Sequence, residues 1–235
     1  MTPTPTTIDE ALDAFLADQR ERLSTRTMRN YQDVVDLLRH CLNGYGPNLL
    51  DKPDRKRWEQ AFATGDEEAF CRLFGPEYIL EEIGEFLGYF MVRKVWAGQE
   101  LLRSAGTVTN KLAGWLHEHG YVGEAARDGA VERGTRAGRD LPRAERLASL
   151  LDKQSRATAS VDYARPGPGD LVGEDLPLHI ERVEPSQLFF TGVVGPLHVS
   201  REASDLAEPG WDVTVTLVRQ RGSWKVLEVG TVYPH

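Results

Sequence analysis

Residues 24–42 read STRTMRNYQDVVDLLRHCL, and this stretch decides what the first half of the chain can be. Its apolar side chains recur every three or four residues, the spacing of an amphipathic helix on a core. They are Met28, Tyr31, Val34 or Val35, Leu38 and Leu42. Ser24 precedes them as a suitable N-cap, and Asn43-Gly44 is predicted to end the helix before further breakers at Gly46 and Pro47.

The same spacing continues on both sides of this helix and predicts a helical bundle. An opening helix is expected on the stripe Ile8, Ala11, Leu12, Phe15 and Leu16. Two short helices (54–63 and 66–74), a long one (78–95) and a further long one (99–119) follow, with Gly120 as a C-cap. Gly106 and Gly114 lie inside the last helix, and we interpret them as sites of close helix packing.

The composition changes after residue 122. Residues 123–170 are rich in arginine and glycine and predict a linker with one helix near 142–154, with Asp140 as its cap. From residue 171 the apolar period becomes two, which predicts five strands (176–183, 188–194, 197–201, 211–219 and 224–232). We therefore expect an α+β protein: an all-α bundle over 1–122, then a small antiparallel β-barrel or rolled sheet over 171–235.

Charge and hydropathy limit the environment and the partners. The chain has 235 residues and a formal net charge of −8, divided as −6 over residues 1–126, +3 over 127–168 and −5 over 169–235. Neither an apolar run of membrane-spanning length nor a secretory signal pattern is evident, so we expect a cytoplasmic protein with no membrane partner. Both folded parts carry a net negative charge, which disfavours a protein that binds nucleic acid over its whole surface.

No arrangement of reactive residues predicts an enzyme, a cofactor or a metal site. Cys41 and Cys71 fall in apolar registers and are interpreted as buried thiols. His117 and His119 are two apart on a helix and point to different faces, so they are poor joint metal ligands. The glutamates Glu81, Glu82 and Glu85 are interpreted as a solvated helix face.

Residues 24–31, and the ending Gly114-Trp115-Leu116 through Val122, resemble the core-binding, SAM-like domain of phage integrases and other tyrosine recombinases. The resemblance covers residues 8–122 and rests on soft motifs and on helix order. One departure is an insertion at 48–76, where that family usually has a short connection.

The resemblance implies half of a clamp on double-stranded DNA, with helix N-termini and basic side chains at phosphates. The implied contacts are Ser24, Thr25, Arg26, Thr27, Arg29, Asn30, Arg103, Asn110 and Lys111. In the linker, Arg133, Arg136, Arg139 and Arg143 would add phosphate contacts. The alternative is that Ser24 is only an N-cap and that the arginines solvate an exposed face.

The recombinase family also implies a catalytic domain, and no counterpart is found over residues 123–235. His179 and Arg182 match its His-x-x-Arg pattern, and Tyr233 follows Trp224 by nine residues. However, the family's pattern opens a helix, whereas residues 178–183 alternate as a strand, so we interpret the match as chance.

The β region resembles, weakly, small nucleic-acid-binding barrels of the OB or S1 kind at residues 206–215. Its aromatic side chains would then stack on single strands, although a place in the domain core is the favoured interpretation. They are Phe189, Phe190, Trp211, Trp224 and Tyr233. Two functions remain open: a non-catalytic DNA-binding protein that uses an integrase-type clamp, or a protein-interaction and assembly module, including self-association, without a nucleic-acid role.

Overall fold

The computed structural model describes residues 7–93, 98–162, 171–192, 194–220 and 222–234. The chain divides into two units, Met1–Arg139 and Asp140–His235. The first unit is helical and the second is mostly sheet, so the predicted α+β class is confirmed. Among the described helices, none combines the length and the apolar character that crossing a membrane requires.

The first two helices begin where their capping residues predict. Helix α1 (Ile8–Arg20) starts at a capping box in which Thr7 and Glu10 exchange backbone-to-side-chain hydrogen bonds of 3.2 Å. Helix α2 (Thr25–Tyr45) starts at Ser24, whose Oγ accepts from the Thr27 amide. A 3₁₀ turn (Gly46–Leu49), α3 (Lys52–Ala63) and α4 (Ala69–Leu73) follow.

The stripes predicted on α1 and α2 form much of the core of this unit. Phe15 and Leu38 are almost completely buried, and Phe15 stacks on Tyr31 with ring centroids 6.1 Å apart. The edge of Trp115 packs against the Phe15 ring at 6.0 Å, and its indole Nε1 donates to Asp18 over 2.6 Å. Apolar burial of this kind stabilises the bundle far more than the helical propensity of its segments.

The prediction of one continuous helix over 78–95 is wrong, because the structure has several short helical segments there. The chain forms α5 (Glu77–Glu81), α6 (Ile83–Glu85), a π-helical turn (Phe86–Phe90) and α7 (Met91–Arg93), and residues 94–97 lie outside the described residues. Two glycines in this segment lower its helical propensity. The wider π turn leaves Phe86, Leu87 and Phe90 all buried.

The predicted linker is instead one long helix. After α8 (Gln99–Glu118), helix α9 runs through Glu124–Asp162 and includes Pro142, so the helix predicted near 142–154 is only its central part. The remainder of the predicted linker, residues 163–170, lies outside the described residues. Arginine, alanine and glutamate favour helix over most of this stretch, which explains its continuity.

Glycines on α9 explain why its composition looked like that of a linker. A Cβ on Gly106 of α8 would lie 2.2 Å from the carbonyl oxygen of Gly134 and 2.6 Å from the amide nitrogen of Gly138. The two helices therefore meet backbone to backbone, as close packing predicts at Gly106. By contrast, a Cβ on Gly114 would meet nothing within 4 Å, so the same prediction is wrong there.

Among the described residues of the second unit, five strands form the sheet. They are β1 (Leu171–Glu184), β2 (Gln187–Phe190), β3 (Leu197–His198), β4 (Asp212–Gln220) and β5 (Ser223–Tyr233). The sheet closes in the order β1-β2-β3-β5-β4. It is not wholly antiparallel, because β3 pairs parallel to β5 at Leu197 and Trp224. Helix α10 (Arg201–Leu206), capped by Ser200, follows the shortened third strand and was not predicted.

The core of this unit combines the sheet with the last part of α9. Leu147 and Leu151 of α9 are fully buried with Ile180, Trp211 and Val213 of the sheet region. Trp211 is 2% exposed, and Phe190 and Trp224 are also buried. These three aromatic residues are therefore core residues, in agreement with the favoured interpretation. Gly222, at φ +83°, supplies the predicted turn between β4 and β5.

We expect Gly106→Ala to destabilise the first unit by roughly 1–3 kcal/mol, because the added methyl group would force backbone apart from backbone. Gly114→Ala is the matched control on the same helix. It should be neutral or stabilising by up to about 1 kcal/mol, since alanine favours helix and the space there is open. Chemical denaturation followed by circular dichroism measures both, and equal effects of the two substitutions would contradict the close contact.

Candidate functional site

The N-terminal turn of α2 holds the first group of predicted DNA contacts. Ser24 Oγ lies 2.9 Å from Thr27 Oγ1 and also accepts from the Thr27 amide. Ser24 therefore caps the helix by satisfying the Thr27 amide, as the N-cap alternative predicts. Thr25 is exposed beside them.

A carboxylate from α8 already occupies the cationic side of this turn. Glu100 accepts from Arg26 Nη2 over 2.8 Å and from Asn30 Nδ2 over 3.2 Å. Hydrogen bonding to Glu100 raises the pKa of Arg26, and the same bond, with that from Asn30, lowers the pKa of Glu100. Glu100 would therefore compete with a phosphate for Arg26 and Asn30.

The remaining predicted DNA contacts are of two kinds. Three are exposed cations, and one is a residue whose side chain packs between two helices. Arg29, Arg103 and Lys111 are exposed, and none of them forms an ion pair within the described parts of the chain. Asn110, in contrast, donates to Thr135 of α9 over 3.0 Å, and its Oδ1 is buried against Gly134. Its predicted role as a DNA contact is therefore not supported, because the α8–α9 contact uses its side chain.

The arginines of the predicted linker also have different surroundings. Arg133 and Arg139 are exposed on α9, and Arg136 pairs with Glu132 one turn earlier at 2.9 Å. Arg143 is directed into the second unit, where it is 26% exposed and pairs with Glu208. The predicted phosphate contact of Arg143 is therefore not supported, since its guanidinium takes part in an ion pair within the unit.

A cleft in the first unit, which sequence analysis did not predict, gathers acidic side chains from distant parts of the chain. Its volume is about 890 Å³. The lining residues are Asp9, Asp13, Asp36, Arg39, His40, Asn43, Gly44, Phe62, Glu67 and Glu68. We call this site the acidic cleft. Helices α1 and α2 contribute the first seven residues, and the last three come from the 48–76 insertion.

One arginine inside the acidic cleft is shared by three carboxylates. Arg39 lies 3.2 Å from Asp9, 3.4 Å from Asp36, and also pairs with Asp13. Burial raises the pKa of Asp9, in opposition to the attraction of Arg39. A single positive charge cannot neutralise three carboxylates, so the cleft keeps an excess of negative charge.

Two further carboxylates add to that excess. Glu67 and Glu68 are exposed at the lining, and no ion pair involves either of them in the part of the chain that the structure describes. Such charges attract a cationic ligand and repel nucleic acid.

Helix α3 places an aromatic side chain at the edge of the cleft. None of the α3 residues is buried. Trp58 and Phe62, one turn apart, stack with ring centroids 5.1 Å apart, and Phe62 is 48% exposed. Phe62 and Leu49 are the large apolar side chains that are exposed among the described residues. An exposed aromatic side chain, held here by stacking on the partly buried Trp58, is a typical anchor of protein interfaces.

Polar contacts and the partly buried side chain of Trp58 attach α3 to the bundle. Asp51 caps the helix by accepting from the Asp54 amide over 3.0 Å. Arg55 donates to the Pro47 carbonyl over 2.7 Å, and the Arg57 guanidinium lies 5.7 Å from the Phe74 ring centroid. The exposed part of the Phe62 ring therefore remains available to another molecule. In the sequence, the feature that could have pointed to this surface is the 48–76 insertion, which carries a tryptophan and a phenylalanine four residues apart.

The other reactive groups offer little chemistry. Both thiols are buried as predicted, and burial raises the pKa of Cys41 and Cys71 far above the ordinary value. Glu82 is 6% exposed, so the prediction of a solvated face is wrong for it, and burial raises its pKa. Within the described residues, no group of three or more histidine, cysteine or carboxylate side chains could hold a metal ion.

The His-x-x-Arg match lies on a strand, as predicted. His179 on β1 is 2.8 Å from Asp212 on β4, and Asp212 is paired across the sheet with Tyr233 on β5. Arg182 covers the Phe189 ring at 3.7 Å, which accounts for this half-buried aromatic residue. The three strands thus bring His179 and Tyr233 near each other through ordinary cross-strand pairing.

No protein family, curated protein or solved structure matches this chain. The resemblance of residues 8–122 to an integrase core-binding domain therefore stays a prediction, together with the contacts that it implies.

We expect Arg143→Ala to destabilise the second unit by about 1–3 kcal/mol. The substitution removes the Glu208 ion pair, a 3.0 Å hydrogen bond to the Leu206 carbonyl and a contact 5.5 Å from the Trp211 ring centroid. Arg146→Ala is the control, because it removes only a half-exposed pair with Glu202 and should cost less than about 1 kcal/mol. Urea denaturation followed by tryptophan fluorescence compares them, and an equal loss would refute the structural role of Arg143.

Proposed function

We propose that this protein is a protein-interaction module whose docking surface comprises the acidic cleft and the exposed side of Phe62 on α3. The observation that carries the proposal is Phe62, which is 48% exposed and lines the cleft while stacking on Trp58. An aromatic anchor beside a rim of charged side chains is the usual composition of a protein interface.

Energetic considerations favour the same function. Phe62 is 48% exposed, so covering it would contribute roughly half of the ~1.5–3 kcal/mol that burial of a whole large apolar side chain contributes. A partner that covers the Trp58–Phe62 pair would recover that contribution. The neighbouring carboxylates would orient the partner and increase its association rate.

The test is site-specific photocrosslinking in cells that naturally produce the protein. A benzophenone amino acid replaces Phe62 in one variant and Glu118, an exposed residue at the end of α8, in the other. We expect a discrete adduct at position 62 that position 118 does not form, and mass spectrometry then identifies the partner.

Binding of that partner to the purified full-length chain completes the test. We expect Phe62→Ser to weaken the affinity about tenfold or more, since interface anchors typically contribute at least that much. Phe62→Leu should retain most of the affinity. Identical adducts at positions 62 and 118, or unchanged affinity in Phe62→Ser, would overturn the proposed function.

A second candidate is binding of double-stranded DNA by an integrase-type clamp. The observation that favours it is the set of exposed cations on α2 and α8, namely Arg29, Arg103 and Lys111. Glu100 lies among the predicted contacts and weakens this candidate, since it already pairs with Arg26.

Fluorescence anisotropy of a labelled duplex against salt tests the DNA candidate on the full chain. The slope of the logarithm of the binding constant against the logarithm of the salt concentration reports the number of phosphate contacts. If DNA binds these cations, replacing Arg29, Arg103 and Lys111 with alanine should reduce the magnitude of this slope by roughly three. A charge-matched control replaces Lys52, Lys56 and Lys153, which are exposed elsewhere. No duplex binding at low salt, or equal slopes for the two triple variants, would eliminate this candidate.

A further inference from the structure

We infer that the acidic cleft binds a segment of the partner that is rich in arginine and lysine and carries one large apolar side chain. This inference rests on the proposed function and specifies the partner's chemistry. It follows from the charge of the cleft, from the position of Phe62, and from the distribution of ion pairs around Arg39.

The charge of the cleft requires a cationic occupant. Asp9, Asp13 and Asp36 share Arg39, and Glu67 and Glu68 add negative charge without an ion pair in the described residues. Asp13 is 71% exposed and Asp36 55%, so both can accept a second cation while they remain bonded to Arg39. Anionic ligands such as phosphates and acidic peptides would meet like charges.

The aromatic side chain at the edge requires an apolar group on the same ligand. Phe62 lines the cleft and is backed by Trp58, so a leucine or aromatic side chain could cover the ring while neighbouring cations reach the carboxylates. A purely cationic chain would leave Phe62 in water and gain only exposed ion pairs, which contribute little. Because it uses both features, a mixed basic and apolar segment is the ligand that the site favours.

The arrangement fits a peptide segment better than a metal ion. The described residues contain no group of three or more possible ligands that could hold a metal. The volume of about 890 Å³ is in the range of ligand-binding clefts and is far larger than an ion needs. Arginine side chains would suit the exposed carboxylates, since they form two parallel hydrogen bonds with a carboxylate.

Isothermal titration calorimetry with three synthetic peptides tests this chemistry on the full chain. The first peptide consists of arginine, lysine and leucine, the second has serine in place of leucine, and the third has glutamate in place of the basic residues. We expect binding of the first peptide, at least about tenfold weaker binding of the second, and none of the third. Raising the salt concentration should weaken binding of the first peptide.

Matched variants connect the binding to the cleft. The double substitution Glu67→Gln with Glu68→Gln should lower the affinity for the first peptide about three- to tenfold. Phe62→Ser should lower the same affinity about tenfold. The control is Glu118→Gln with Glu174→Gln, which removes the same charge from exposed positions outside the cleft and should change the affinity less than about twofold. Thermal unfolding of each variant verifies that it is folded.

Several results would overturn the inference. They are equal binding of the serine peptide, binding of the glutamate peptide, or a loss in the control variant as large as that in the cleft variant. A crosslinked partner without a basic and apolar segment would overturn the inference while leaving the proposed function intact. If light scattering shows self-association that Phe62→Ser abolishes, the occupant is a second copy, and the partner assignment is wrong.

Discussion

The backbone contact between α8 and α9 is the interaction on which the rest of the structure depends. Gly106, Gly134 and Gly138 have no side chains, so the two helices approach more closely than any larger residue would allow. This approach buries Ala130 and Ala137 of α9 in the first unit. The same helix then supplies Leu147 and Leu151 to the core of the second unit. One helix therefore contributes to both cores, and the stability of each unit depends partly on it.

The same contact changes what the polar residues can do. It buries Asn110, which pairs with Thr135 and is no longer a free surface amide. Elsewhere, carboxylates neutralise cations that the helical resemblance assigns to DNA: Glu100 binds Arg26, and Glu208 binds Arg143. Two of the arginines assigned to DNA are thus paired within the chain, whereas three carboxylates share the single guanidinium of Arg39. This imbalance is the physical reason for placing the candidate interface at the acidic cleft.

Helix α3 combines two properties that are uncommon in one element. None of its residues is fully buried, and it displays at the surface a phenylalanine, Phe62, that stacks on the partly buried Trp58. A surface helix normally turns its apolar stripe toward the core. Here capping, a hydrogen bond from Arg55 and the Arg57–Phe74 contact hold the helix instead. The insertion therefore adds little to the core, and the surface that it creates is its main structural contribution.

Local features could be predicted from the sequence alone. The caps at Thr7 and Ser24, the stripes of α1 and α2, the turn at Gly222 and the change from helix to strand follow from short-range chemistry and periodicity. Tertiary structure decided the features that depend on distant residues. In the sequence, Gly134 and Gly138 are typical of a linker, and only the fold shows that Gly106 packs against them. Likewise, Asp9, Asp36 and Glu68 form one cleft only because folding brings their helices together, and no periodic pattern records the distance between such positions.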